Sequence, residues 1–230
     1  MPLPKISYPT FEVYVKSLDR KVKFRPFLVK EEKMFLMAKE ADEFKDVFDT
    51  LKQIATNCCL EDIDFESLPS FDLEMIFLHL RINSIGDKSE LSYTCNNVIE
   101  SKNEETGEVI GNQCGHVNVF DLDLKNVQYD VPEGHTNIIR LTDKLGIVMK
   151  YPNMETAKEI LSNAGDTNDI DGISLYIDHV FDEDQKYTKD SFSKEELTQF
   201  MESLTLTQLQ KIRAFFETSP TVVLKQIVVS

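Results

Sequence analysis

The sequence predicts an α+β fold that is mostly helical, with an N-terminal β-hairpin and an inserted small antiparallel β subdomain. Three observations lead to this prediction. Apolar and polar residues alternate on both sides of a short polar turn within residues 11–27. Strong helix formers and helically spaced apolar residues dominate residues 29–86 and most of the last third. Between these helical parts, short alternating segments are bounded by turn residues, as is typical of strands.

The N-terminal part is predicted to hold the hairpin and three helices. Pro26 ends the second strand, because proline cannot donate to a ladder of hydrogen bonds. Ser70 is the predicted N-cap of the third helix, and Gly86 ends that helix. The third helix is apolar nearly all round, which indicates a central position. The predicted bounds are residues 11–16 and 21–27 for the strands, and 29–40, 44–59 and 71–85 for the helices.

The middle third is predicted to be rich in strands. Two strands flank a polar excursion, residues 95–115, which is rich in Asn, Glu and Gly. Three further strands follow, and the last two form a hairpin. The predicted strands are residues 90–94, 116–122, 126–131, 137–141 and 147–151.

The last third returns to helices. Asn153 is the predicted N-cap of the first one, and Ser193 with Glu196 satisfies the capping-box pattern at the start of another. Pro220 breaks the helical pattern before a β-branched run at residues 222–229. The other predicted segments are a helix at residues 170–181, an acidic linker at 182–187, and helices from 193 to about 204 and from 207 to 216. We therefore divide the chain into residues 1–88, 89–151 and 152–230.

Composition excludes several classes of function. The chain of 230 residues has 25 Lys and Arg against 40 Asp and Glu, for a net charge of -15. Nonspecific binding to nucleic acid needs clustered cations, so this balance argues against it. No apolar run approaches the roughly 20 residues that cross a bilayer, and residues 1–10 lack a signal core. We expect a soluble, intracellular, folded protein.

One group of residues suggests a metal site. Thiolate and imidazole are zinc ligands, and Cys95, Cys114 and His116 lie near the ends of the two strands that flank the polar excursion. A structural zinc site needs four ligands, so His135 or a partner's residue would have to complete it. The alternative is that the two cysteines face each other at a hairpin base without metal. Cys58 and Cys59 are interpreted as apolar fillers of a helix.

No other motif indicates chemistry. Residues 166–172 resemble a calcium loop but place Ile170 where an oxygen ligand belongs, so we interpret them as a solvated turn. The acidic run at residues 182–184 is interpreted as a solvated linker. The sequence lacks phosphate-loop, dinucleotide and hydrolase motifs, so we expect no enzyme, no cofactor and no small-molecule substrate.

Ordered segments along the chain resemble the T4-type bacteriophage family of baseplate hub subunits and hub assembly proteins. The resemblance spans about residues 10–220, and the ordered set is more specific than any single segment. This sequence departs from the family in having fewer central cysteines and a short tail after Pro220. The segments are residues 22–33 (Val-Lys-Phe-Arg-Pro-Phe-Leu-Val-Lys-Glu-Glu-Lys), 54–58, 71–86, 93–95, Cys114 and 146–152.

The resemblance implies a viral late protein that helps to build the central hub of a contractile-tail baseplate through protein–protein contacts. Its expected partners are other baseplate hub and tail proteins, with no nucleic acid and no membrane. Its expected location is the host cytoplasm during assembly and the virion tail baseplate. An alternative function is a small zinc-ribbon-bearing regulatory or nucleic-acid-associated module, which the acidic charge disfavours.

Two segments are candidates for contact with a partner. Either the hairpin at residues 11–27 or the run at residues 222–229 could add a strand to a partner sheet, or both could pair within the chain. The hairpin region is also basic, with Lys16, Arg20, Lys21, Lys23, Arg25 and Lys30. We therefore hypothesise that the hairpin meets an acidic partner surface while the acidic loops face solvent.

Overall fold

The computed structural model describes residues 6–40, 44–102, 109–162 and 169–224. Within these ranges the chain is 40% helical and 28% strand, and its strands form five antiparallel sheets. The prediction of a mostly helical chain is therefore wrong, although helices and antiparallel strands coexist as in α+β proteins. The difference arises because two segments that were predicted as a polar excursion and as a helix form strands.

The helices are α1 (Val29–Lys39), α2 (Phe44–Cys58), α3 (Ser70–Ser84), α4 (Met154–Ser162), α5 (Asp169–Ser174), α6 (Lys194–Glu202) and α7 (Leu206–Glu217). The strands are β1 (Phe11–Val15), β2 (Arg20–Phe24), β3 (Lys88–Thr94), β4 (Val98–Lys102), β5 (Val109–Gln113), β6 (Val117–Asp123), β7 (Val127–Asp130), β8 (Ile138–Arg140), β9 (Gly146–Met149), β10 (Ile177–Phe181), β11 (Lys186–Thr188) and β12 (Thr221–Leu224). In the described part of the chain, no helix has both the length and the apolar character to cross a bilayer.

The first core lies between the N-terminal hairpin and helices α2 and α3. β1 and β2 pair from Phe11 opposite Phe24 to Val15 opposite Arg20, which confirms the predicted hairpin. Because side chains alternate along a strand, one face of the hairpin is apolar and buried. The buried residues of this core include Val13, Val15, Val22, Phe24, Ile54, Ala55, Cys58, Ile76 and Leu80.

The second core lies between a four-stranded sheet and helices α6 and α7. The strand order is β11-β10-β9-β8, and all neighbours are antiparallel. The predicted hairpin at residues 137–151 is confirmed as β8 and β9. The apolar residues that fill this core include Ile139, Ile147, Met149, Ile177, Val180, Met201, Ile212 and Phe215.

The predicted helix at residues 170–181 is wrong over its second half. Helix α5 ends at Ser174, and β10 begins at Ile177. β10 pairs with β9 on one side and β11 on the other, so its backbone groups find partners in both neighbours. Tertiary pairing therefore overrides a short apolar pattern that fits either a helix or a strand. The acidic segment 182–187 connects β10 to β11 and contributes the first residues of β11.

The two segments proposed as partner-binding strands both pair within the chain. β12 pairs with β7, from Thr221 opposite Asp130 to Leu224 opposite Val127, and residues 225–230 lie outside the described ranges. Beside β2, the N–H of Leu60 donates to the carbonyl of Lys23 at 2.9 Å. The N–H of Arg25 donates to the carbonyl of Cys58 at 2.9 Å, so residues 58–60, at and just after the end of α2, cover part of the outer edge of the hairpin. The division at residues 88 and 151 stays a prediction.

Of the three N-caps predicted from the sequence, two are confirmed and one is wrong. The N–H of Thr156 donates to Asn153 Oδ1 at 2.8 Å, and Ser193 forms the predicted capping box with Glu196. Ser70 is not the N-cap of α3, because Pro69 takes that position and Ser70 is the first helical residue. The N–H of Ser70 instead donates to the carbonyl of Pro152 at 2.7 Å, which joins α3 to the segment before α4.

Candidate functional site

The most exposed part of the described structure is a long two-stranded ribbon that follows α3. β3 pairs with β6 from Lys88 opposite Asp123 to Thr94 opposite Val117. β4 pairs with β5 from Val98 opposite Gln113 to Lys102 opposite Val109. The two ladders share one register, because no residue is inserted or skipped on either side between the last pair of the first ladder and the first pair of the second. We call residues 88–102 and 109–123 the arm.

The short segments between the two ladders are joined by backbone hydrogen bonds. The N–H of Cys95 donates to the carbonyl of His116 at 2.8 Å, and the N–H of Cys114 donates to that of Asn97 at 2.7 Å. The N–H of Gly115 donates to the carbonyl of Cys95 at 3.2 Å. Gly115 has a φ of 64°, which other residues rarely adopt. The arm is therefore one continuous hairpin with a local irregularity at its middle.

The base of the arm is fixed to the end of α3. The guanidinium of Arg81 donates to the carbonyls of Gly86 at 3.0 Å and Lys88 at 3.4 Å. The N–H of Leu124 donates to the carbonyl of Asp87 at 2.7 Å, and Lys125 forms an ion pair with the Asp87 carboxylate. The base is thus held from both strands, while the rest of the arm extends away from α3.

One face of the arm is apolar and exposed. Leu91 lies opposite Phe120, and Tyr93 lies two residues further along the same face. The exposed fractions of Leu91, Tyr93 and Phe120 are 40%, 58% and 48%. Within the β3–β6 ladder, the half-buried pair on this face is the one nearest the base, Ser89 and Leu122. Contiguous aromatic and aliphatic surface of this kind marks contact sites for other proteins.

The opposite face of the arm is acidic near its base and apolar towards its middle. Glu90 lies directly opposite Asp121, next to the pair of Lys88 and Asp123. Further along this face Val119 and Val117 are more than half exposed. Like charges directly opposite each other destabilise a sheet. The arm therefore carries unfavourable features on both faces when it stands alone.

A two-stranded ribbon is marginally stable in water, because it buries little apolar surface and leaves both edges open. β3 and β6 pack mainly on each other, as do β4 and β5. An arm of this length is thus an element that gains stability when another surface covers it. Only part of it was predicted: residues 90–94 and 116–122 were expected as strands, but β4 and β5 lie in the predicted polar excursion. The symmetric pairs Val98-Ile99 and Val109-Ile110 are the signal that would have revealed them.

The candidate metal ligands lie at the irregularity of the arm. Cys95 and Cys114 are free, half-buried thiols on opposite strands, and His116 is exposed. His135, the suggested fourth ligand, is engaged elsewhere: its Nδ1 bonds Thr218 Oγ1 at 2.9 Å and its Nε2 bonds the Tyr151 hydroxyl at 2.8 Å. Among the described residues, no group of three or more His, Cys, Asp or Glu side chains is arranged to hold a metal.

Cys95, Cys114 and His116 stay an untested candidate site for zinc, and the described residues do not supply it with a complete ligand set. We expect the purified chain to contain much less than one zinc per molecule by plasma mass spectrometry. The protein should be prepared without chelator and compared with Cys95→Ser and Cys114→Ser variants. Stoichiometric zinc that both variants lose would contradict this expectation.

The other cysteines fit their predicted role. Cys58 is fully buried in the first core, and burial raises the pKa of its thiol to about 11. Burial also raises the pKa of the half-buried Cys59 thiol. Thiols of this kind stay protonated at neutral pH and are poor nucleophiles.

The basic hairpin is largely neutralised inside the chain. Arg20 forms an ion pair with Glu61. Arg25 lies 2.9 Å and Lys30 3.4 Å from Oε1 of Glu31. Lys21 lies 3.9 Å from Glu12. Three internal carboxylates thus pair with four of the six cations on which the hypothesis of an acidic partner depends. The acidic loop after α2 also contacts the hairpin instead of facing only solvent.

A second apolar surface is a groove between the start of α1 and the end of α3. It has a volume of about 620 Å³ and is lined by Phe27, Leu28, Val29, Glu32, Phe35, Leu51, Phe77, Arg81, Ser84 and Ile85. Val29 and Ile85 are 68% and 78% exposed at its rim. The groove is a second exposed apolar surface, separate from the arm.

Comparison with known families identifies the chain. A family model described as "T4 bacteriophage base plate protein" matches residues 8–229, nearly the whole sequence. The chain belongs to this baseplate protein family. No curated protein and no solved structure matches it. The match confirms the resemblance to T4-type baseplate proteins and shows a phage baseplate protein, for which a structural role is expected in preference to a catalytic one.

Membership of the baseplate family accounts for the exposed apolar side chains of the arm and of the groove. A baseplate protein is a component of the virion tail, where it contacts other baseplate proteins. Surfaces that are covered in an assembly are exposed in an isolated subunit. The arm is the clearest surface of this kind in the baseplate chain.

Proposed function

We propose that this chain helps to build the central hub of a contractile-tail baseplate, and that it does so through protein–protein contacts made by the arm. The observation that carries the proposal is the two-stranded arm, which exposes large apolar side chains on both faces: Leu91, Tyr93 and Phe120 on one, Val117 and Val119 on the other. Its partners are other hub and tail proteins. Assembly takes place in the host cytoplasm, and the product is the virion baseplate.

Several features support a role in contact over one in chemistry. The four histidines include His135, which packs against Tyr151 and Phe215, and His179, which bonds Asp178 on β10. His179 was predicted in a helix and lies in a strand instead. Both imidazoles are used to join neighbouring side chains. The alternative of a nucleic-acid module is opposed by charge, because the arm has two lysines against four acidic residues over its described length.

The decisive experiment shortens the arm. We replace residues 91–120 by Asn-Gly, so that a type I′ turn joins Glu90 to Asp121, which already face each other. We expect the shortened chain to fold with nearly unchanged stability, since the arm packs mainly on itself. In cells infected with a phage that lacks this gene, we expect the shortened chain to lose co-purification with hub proteins at least 10-fold and to give no infectious particles.

The experiment has one control variant and two outcomes that would contradict the proposal. The variant E195Q/E202Q keeps the arm and changes two exposed carboxylates on α6, so it should restore assembly like the original chain. Mass spectrometry of the co-purified proteins identifies the partners. Normal baseplates built with the shortened chain would refute the arm as the contact surface and would favour the groove. A partner set without tail proteins would refute the hub role itself.

A further inference from the structure

The two faces of the arm differ in chemistry, and the difference restricts what can cover them. On the apolar face, Leu91 and Phe120 form a directly opposed cross-strand pair, and Tyr93 extends it towards the middle of the arm. Aromatic side chains presented in this way are typical anchors of protein interfaces. This face fits a dry pocket in a partner.

The acidic face of the arm, which contains Glu90 and Asp121, is suited to a charged partner surface and not to a dry pocket. The Cβ atoms of directly opposed residues in an antiparallel pair are about 5 Å apart, so the Glu90 and Asp121 carboxylates repel each other. No cation of the described residues forms an ion pair with either group. Both side chains are exposed, so water screens the repulsion only while the face is uncovered. Lys88 lies on the same face without an ion pair to either group, so the pair keeps an excess of negative charge. A protein that covers this face therefore gains from bringing positive charge.

Charge complementarity also decides among the possible occupants. Nucleic acid and anionic membrane surfaces would be repelled by these carboxylates. A second copy of the chain would bring its own net charge of -15. A partner with Lys or Arg side chains is the occupant that relieves the repulsion, and the charge pair would then also fix the orientation of the arm.

Resting on the proposed hub function, we propose that a baseplate partner clasps the arm on both faces, with an apolar pocket for Leu91, Tyr93 and Phe120 and with Lys or Arg side chains opposite Glu90 and Asp121. The arm is then the inserted element and the partner forms the cleft. Contact on both faces covers the exposed valines as well, so the arm becomes the middle layer of a three-layer interface.

The test measures binding to hub intermediates purified from cells infected with a phage that lacks this gene. E90Q/D121N removes both charges with little change in shape, and E195Q/E202Q removes two exposed charges elsewhere. We expect E90Q/D121N to weaken binding about 10- to 100-fold at low salt and to flatten its salt dependence. The control should stay within about twofold. Phe120→Ser should weaken binding at least 10-fold but keep the salt dependence.

Zero-length carbodiimide coupling gives an independent readout, because it joins carboxylates only to amines in direct contact. We expect Glu90 or Asp121 to be linked to a partner lysine in assembled hubs, whereas an all-arginine cleft would give no link but the same salt effect. Unchanged binding of E90Q/D121N at every salt concentration would overturn the cationic clasp, even if the shortened arm fails to bind. Normal binding of the shortened arm would instead refute the proposed function. Arm-dependent dimers of the isolated chain, with no binding to hub intermediates, would assign the surface to a second copy.

Discussion

Replacing Glu31 by glutamine is expected to lower the free energy of unfolding by about 3–5 kcal/mol, the cost of breaking a buried ion pair. The Glu31 side chain has no exposure and lies 2.9 Å from the guanidinium of Arg25. It also accepts from the N–H of Leu28 at 2.9 Å, so it closes the start of α1. The loss of charge would leave the nearly buried Arg25 without its counter-ion. Urea unfolding followed by circular dichroism measures the change.

The adjacent Glu32 supplies a matched control, because it is exposed on the same turn of the same helix. Glu32→Gln should change the unfolding free energy by less than about 0.5 kcal/mol. The double replacement of Arg25 by Met and Glu31 by Leu should be less harmful than E31Q, since no buried charge remains. A loss below about 1 kcal/mol in E31Q would show that water, and not Arg25, satisfies this carboxylate.

The pH dependence of stability follows from the same pair. Burial would raise the pKa of Glu31, but hydrogen bonds from Arg25 and the Leu28 N–H, with the charges of Arg25 and Lys30, outweigh it and leave the pKa below its ordinary value of 4.5. A carboxyl whose pKa is lowered by folding adds stability above its unfolded pKa, and that stability is lost as pH falls through the folded pKa. The difference between the original chain and E31Q should thus be constant above about pH 5.5 and shrink in acid.

This pair also accounts for the segment that resembles the baseplate family. Arg25, Pro26 and Glu31 all lie in the predicted signature at residues 22–33. The Arg25 guanidinium donates to the carbonyl of Pro26 at 2.9 Å as well as to Glu31. This segment therefore fixes the loop after β2 to the start of α1. The pairing of Arg25 with Glu31 could not be predicted, because Arg25 lies in the loop before α1 and shares no helical spacing with Glu31.

The elements that could be predicted are those with strong local signals. α1, α2, α3, α6 and α7 have apolar periodicity or capping residues, and the hairpin β1–β2 has strict alternation. β10 had a misleading signal, since Ile173, Ile177 and Val180 have the spacing of one helical face. Ile177 and Val180 are both buried in the strand because its pairing with β9 shifts register between Ile177 and His179. Whether this segment forms a helix or a strand is decided by its pairing with β9 and β11. β9 is distant in the sequence, and β11 has only a weak strand pattern. Local patterns cannot show that choice.

The candidate site was predicted even less completely. The alternation in residues 90–94 and 116–122 predicted β3 and β6, and alternation usually means that one face is buried. Here the apolar face that contains Leu91 and Phe120 remains exposed. Whether a face is covered depends on tertiary packing and on partners, and no property of the strand itself reports it.

The second large effect is expected at Asp72, a fully buried carboxylate in the first turn of α3. It accepts from the N–H groups of Lys16 and Ser17, each at 2.9 Å, and from the Tyr129 hydroxyl at 2.6 Å. Asp72→Asn places an amide donor where donors already point, so we expect a loss of about 2–4 kcal/mol in unfolding free energy. Asp46→Asn is the control, because Asp46 is an exposed first-turn aspartate of α2. It separates the effect of these hydrogen bonds from that of the helix dipole.

The position of Asp72 allows loss of stability to be distinguished from loss of partner binding. It joins the hairpin turn, α3 and β7 at one end of the helix, whereas the arm is fixed to the other end by Arg81. At a temperature well below the unfolding transition, D72N should therefore bind hub intermediates within about twofold of the original chain, although its stability is lower. E90Q/D121N should show the reverse, with weak binding and a stability at least equal to that of the original chain, because the repulsion between Glu90 and Asp121 is removed. If D72N lost binding while still folded, the arm would depend on the packing of the first core, and the two ends of α3 would act as one unit.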